Sequence, residues 1–120
     1  MPTPESMRAE LLRIFPDFKT QWEEDGDTFN DEAGNYSYCG LFSVFGWFFR
    51  DHFLNMKKEK IQEFCDYIET FVRDDDIHED IDNAICTCFL EDVGGEPTTV
   101  NLPNYLGPKS LKFYLSWHGA

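Results

Sequence analysis

Three features of this sequence predict an all-α fold, a single-domain bundle of five or six helices over residues 1–120. Apolar residues recur near the helical period along most of the chain. Proline and glycine fall mainly where those periodic runs start or stop. The third feature is the amount of core material, 42% apolar residues with twelve phenylalanines in 120, which suits one ordinary domain with one core.

The elements follow in order. Met7, Leu11, Leu12, Ile14, Phe15, Phe18 and Trp22 lie near the helical period, but Pro16 interrupts them. Proline suits a first helical turn and not a helix interior, so the pattern predicts two short helices, or one kinked helix, meeting at Phe15 and Pro16. "DGDTFNDEAGN" has the composition of a loop. From Ser37 to Leu54 the chain is apolar almost all round, with Gly40, Ser43 and Gly46 at three-residue spacing. That suits a central helix approached closely by its neighbours, with a buried strand as the alternative for part of it. "KKEKIQEFCDYIETFVR" places Ile61, Phe64, Cys65, Ile68, Phe71 and Val72 on one stripe, the clearest amphipathic helix in the chain. The next helix carries Ile77, Ile81, Ala84, Ile85, Cys88 and Phe89 on one face and ends at Gly94, read as a left-handed cap. These two helices form a predicted antiparallel hairpin over about 57–93. A short extended segment is expected near 97–106. A final helix, Pro108 to His118, then turns Leu111, Tyr114 and Leu115 inward.

The N-terminus lacks the charged start and apolar run of a secretory signal, and the longest apolar stretch, Tyr38 to Phe49, is too short to cross a bilayer. A cytoplasmic location is therefore expected, and with it four free thiols, Cys39, Cys65, Cys86 and Cys88. Helical spacing puts Cys39, Cys65 and Cys88 on apolar stripes. Cys86 falls instead beside Glu79, Asp82 and Asn83 on a polar face, where it is expected to be the most exposed.

The formal net charge of -13 is unevenly spread, with -6 over residues 1–35 and -8 over 73–96. Such a surface repels nucleic-acid phosphates and anionic membranes and steers basic proteins inward. The densest stretch, "RDDDIHEDID" (73–82), fails as a calcium loop counted from Asp74. Glu79 stands where the sharp turn needs glycine, and Ile85 where a bidentate glutamate must close the site. "CTC" lacks the spacing of a zinc knuckle. His52, His78 and His118 are isolated from any nucleophile motif, and no glycine-rich phosphate loop occurs. "GPKS" (107–110) offers helix N-terminal amides to an anion, a weak signal beside a structural role. The sequence thus predicts no enzyme, cofactor or metal. Acids near a helix start, as at Asp76, are explained by capping and the helix dipole. Those ending helices, Glu23, Glu24 and Asp25, or Glu91 and Asp92, sit where the dipole disfavours them, which is either neutral drift at small cost or, the preferred reading, a surface matched to a cationic partner.

"ELLRIFPDF", "NAICTCFLEDV" and "YLGPKSLKFYLSW" together resemble a group of short bacterial helical domains that look like the immunity proteins encoded beside polymorphic or contact-dependent growth inhibition toxins. The resemblance implies a cytoplasmic inhibitor that binds a toxin domain and blocks its active site, with no catalytic residues to carry over. Joined to the charge pattern, it gives the expected function: an antitoxin-like protein that blocks a basic toxin, a nuclease being the best match. The expected contact residues are Glu23, Glu24, Asp25, Asp27, Asp31 and Glu32, together with Asp74, Asp75, Asp76, Glu79, Asp80 and Asp82. The alternative is an acidic nucleic-acid mimic or a general protein-binding adaptor. Neither reading involves direct contact with nucleic acid or membrane.

Overall fold

A computed structural model describes residues 2–73 and 80–118, and among them it is all helical, with no strand. Helix α1 (Pro4–Ile14) opens with a capping box in which Thr3 Oγ1 accepts the Ser6 N–H at 3.1 Å and Ser6 Oγ accepts the Thr3 N–H at 2.9 Å. It ends before Pro16, and α2 (Phe18–Asp25) follows, so the proline separates two helices. Helix α3 (Tyr38–His52) is helical throughout, capped by Ser37 Oγ, which accepts the Gly40 N–H at 3.0 Å. A 3-10 turn, Phe53–Asn55, leads to α4 (Lys58–Glu69). Helix α5 covers 80–93 in three registers, α-helical over Asp80–Asn83, π-helical over Ala84–Leu90 and α-helical again over Glu91–Val93. Helix α6 (Pro108–His118) closes the described chain.

Helix α3 is the centre. It packs most extensively on α5 and also carries α2 and α1. Phe45, midway along it, is fully buried and lies within 6 Å, centroid to centroid, of Phe15, Phe18, Phe48, Phe49, Phe64 and Phe89. Each such ring buries some 150–250 Å² and adds edge or offset contacts, so this cluster holds the helices together. The small residues of α3 serve the close approach expected of them. A Cβ at Gly40 would stand 3.2 Å from Phe29 Cβ, and one at Gly46 would stand 3.4 Å from Val93.

Several local expectations are corrected. Helices α4 and α5 are not a simple hairpin: α5 lies chiefly on α3 and meets α4 through the Phe64–Phe89 ring pair, at 5.2 Å. The region near 97–106 holds two 3-10 turns, Pro97–Thr99 and Leu102–Tyr105, in place of an extended segment. The buried Thr99 hydroxyl anchors the first by donating to the Val93 carbonyl at 2.6 Å. Gly94 is extended, at φ -73°, and Gly95 takes the left-handed conformation at φ 79°. In α6, Ser110 and Tyr114 face inward, while Leu115 is 40% exposed.

The cysteines depart furthest from expectation. Cys39 and Cys88 form a disulfide, with Cα atoms 5.5 Å apart. They lie 49 residues apart in sequence, and only the side-by-side packing of α3 and α5 brings them together. Cys65 and Cys86 are free thiols, both buried, and burial pushes each up to about 12, so they stay protonated.

Candidate functional site

The acids the sequence singles out divide into those facing solvent and those spent inside the fold. Asp74, Asp75, Asp76 and Glu79 lie outside the described residues, as do Ile77 and His78. Glu23 and Glu24 stand exposed at the end of α2, and Asp27, Asp31 and Glu32 are exposed in the loop after it. Among the described residues the only ion pair these five make is Lys19–Glu23, at 3.8 Å between side chains that are themselves mostly exposed. Asp31 also shapes its loop, its Oδ1 accepting the Ala33 and Asn35 N–H groups at 2.9 Å each. Asp25 is half-buried and accepts a hydrogen bond from Gln21 Nε2. Asp80 is exposed at the start of α5.

Asp82 is not a surface contact residue. It is only 3% exposed; its Oδ1 accepts the Arg73 N–H at 3.0 Å and the Cys86 thiol at 3.6 Å. Of the α5 face expected to be solvated, Asp82 and Cys86 are covered beside Arg73 and, on α6, Phe113, while Asn83 stays exposed. Asp82 and Cys86 keep the adjacent positions that four-residue spacing gives them, and the departure is that this part of the face is covered and not solvated.

The helix start at 107–110 does receive an anion, and the anion belongs to the protein. Glu69, the last residue of α4, accepts from the Lys109 N–H at 2.9 Å, the Ser110 N–H at 2.9 Å and the Ser110 hydroxyl at 2.7 Å. Burial alone would raise the Glu69 carboxyl, but these three donors and the charge of Lys109 outweigh it and hold the group below its ordinary range. Gly107 gives the carboxylate its room, since a Cβ there would stand 2.5 Å from Glu69 Cδ.

A groove beside the acidic end of α2 was missed in the sequence. Asp17, Thr20, Gln21 and Glu24, spaced at three, four and seven residues along one face of α2, line an open groove of about 370 Å³ whose other wall is Phe48 and His52 of α3. The two rings lie 4.8 Å apart between centroids. Past Asp17 and His52 the groove continues into a second hollow of about 320 Å³, floored by Phe15, Phe48 and Met56 and edged by Lys57 and Lys60. The 17–20–24 spacing was the available signal, but the partner wall comes from a helix some thirty residues away.

Among the described residues no group of three His, Cys, Asp or Glu side chains stands close enough to hold a metal ion, and no helix is long and apolar enough to cross a membrane. The arrangement offers carboxylates at the surface and apolar hollows beside them, which suits binding a cationic surface. A family model described as a domain of unknown function, DUF7674, matches residues 8–119. No curated protein and no solved structure matches the chain.

Proposed function

The chain belongs to the DUF7674 family, whose description assigns no role, and we propose from its own surface that it is a protein-binding inhibitor, an immunity protein of the antitoxin type that docks on a basic toxin domain and blocks it. The observation that carries this reading is the exposed acidic end of α2 and its loop. Glu24, Asp27, Asp31 and Glu32 have no basic partner among the described residues, and Glu23 has only Lys19 at 3.8 Å. Unneutralised charges of one sign speed encounter with an oppositely charged protein, and a nuclease must itself be basic to hold phosphates.

The reading places the protein in the cytoplasm, where such a toxin would act. A cytoplasm would hold Cys39 and Cys88 mainly as two thiols, so the disulfide they form in the structure counts against that compartment. Alkylation and mass spectrometry on protein taken directly from its native cells decide the compartment: alkylated Cys39 and Cys88 fit it, and an unlabelled, bridged pair argues for an oxidising one.

The functional test uses the protein encoded beside this one. Co-expression should rescue growth from that neighbour's toxicity. The two purified proteins should associate about tenfold or more slowly when Glu23→Lys and Glu24→Lys are combined, with a rate that falls as salt rises. Absence of rescue together with salt-independent association would remove this reading.

A further inference from the structure

We propose that the groove between α2 and the C-terminal end of α3 seats an arginine side chain of the cationic partner, with an apolar neighbour of that arginine filling the adjoining hollow. This rests on the docking function proposed above and names its anchor. The groove has the two features a guanidinium requires. Its floor is aromatic, formed by the exposed ring of His52 backed by Phe48, which is only 3% exposed, with centroids 4.8 Å apart and ring planes inclined at 36°. Its opposite wall carries only polar side chains, with Asp17 and Glu24 at its two ends and Thr20 and Gln21 between them. Seven helical residues separate the two carboxylates, roughly 10 Å along the axis, which leaves room for a planar cation to stack on the rings and fork onto either one.

Both carboxylates are available. Asp17 occupies the cap position of α2 yet makes no capping hydrogen bond, and it is exposed. Glu24 is exposed, and neither acid forms an ion pair among the described residues. An anionic ligand would meet two negative charges here. Lysine would supply charge but not the plane that matches the rings, so arginine is the better occupant. Beyond His52 the second hollow is floored by Phe15, Phe48 and Met56, wide enough at about 320 Å³ for one aliphatic side chain next to the arginine. The occupant is therefore an arginine followed or preceded by an apolar residue, on a basic protein.

The probe is acetyl-arginyl-leucinamide, titrated into the intact protein while the ring signals of Phe48 and His52 are followed by NMR. Both rings should respond in a saturable way. Replacing arginine by citrulline, which keeps the shape and loses the charge, should weaken binding at least tenfold. Combining Asp17→Asn with Glu24→Gln should weaken it at least fivefold, and Glu5→Gln, exposed in the first turn of α1 and outside the groove, should leave it unchanged. Circular dichroism of each variant checks that the fold is intact. Equal binding of the citrulline peptide, or a response confined to the loop acids Asp27 and Glu32 with both rings silent, would overturn the assignment, as would no saturable binding. Failure here leaves the salt-dependent association of the whole partner to be judged on its own, so the groove and the docking function fall separately.

Discussion

Glu69 and Asp17 are both acids beside the start of a helix, and they are used in opposite ways. Glu69 reaches from the end of α4 to the first amides of α6 and is consumed there by three hydrogen bonds, tying two helices that are about forty residues apart in sequence. Asp17 sits at the start of its own helix and caps nothing. The comparison teaches that a residue's position relative to a helix end does not decide whether its charge is structural or free. What decides it is whether another element's unsatisfied donors come within reach. By that criterion Asp82 belongs with Glu69, and Glu23, Glu24, Asp27 and Glu32 belong with Asp17.

The largest effect that could break this division is expected at Glu69. Glu69→Ala strips three donors of their acceptor at a helix start and should cost about 2 to 3 kcal/mol in denaturant melts, a figure already reduced for partial solvent exposure. Gly107→Ala should act in the same direction and less strongly, by forcing the carboxylate aside. The same group sets a pH dependence. Its folded pKa lies below its unfolded value, so its contribution is complete above the unfolded pKa of about 4.3 and is lost as pH falls through the lower folded value. Melting temperature against pH should show that acid-side loss in the wild type and a shallower one in Glu69→Ala. An equal acid-side slope in both would assign the dependence to other carboxylates.

Asp82→Ala comes next, at about 1 to 2 kcal/mol, because it leaves the Arg73 N–H without its acceptor in a covered site. The smallest effect is expected on the other side of the comparison. Glu23→Gln combined with Glu24→Gln should change stability by no more than about 0.5 kcal/mol, since neither side chain holds anything but Lys19. Slight stabilisation would sharpen the contrast, because these acids face the negative end of α2. A loss above about 1 kcal/mol would move them to the structural class.

These divisions also mark what was legible in the sequence. Helices α1 to α4 and α6 could be read because proline, glycine and the 3.6-residue period are local signals, and the core of α3 because its apolar residues encircle it. The roles of Glu69 and Asp82 could not, because their donors arrive from Lys109, Ser110 and Arg73, and nothing in a carboxylate's own neighbourhood announces them. The exposed acids of α2 and its loop could be placed; the groove beside them could not, since Phe48 and His52 join it only through packing. In α5 the helical period put Cys86 beside Asp82, where it lies, but nothing local announced that this face is covered, so both are buried where exposure was expected. Cys39 and Cys88 each looked like ordinary core residues until two helices laid them side by side.

That bridge also sets how the molecule would respond to force. With Cys39 and Cys88 joined, tension applied at the two termini passes from one sulfur to the other and bypasses the 49-residue span between them. Roughly 160 Å of contour that an unbridged chain would release stays locked, at about 3.3 to 3.6 Å per residue. Most of α3, all of α4 and α5 as far as Cys88 lie within that loop, so α1, α2 and α6 could be peeled away while Phe42, Phe45, Phe48, Phe49 and Phe64 remain on a closed ring of chain.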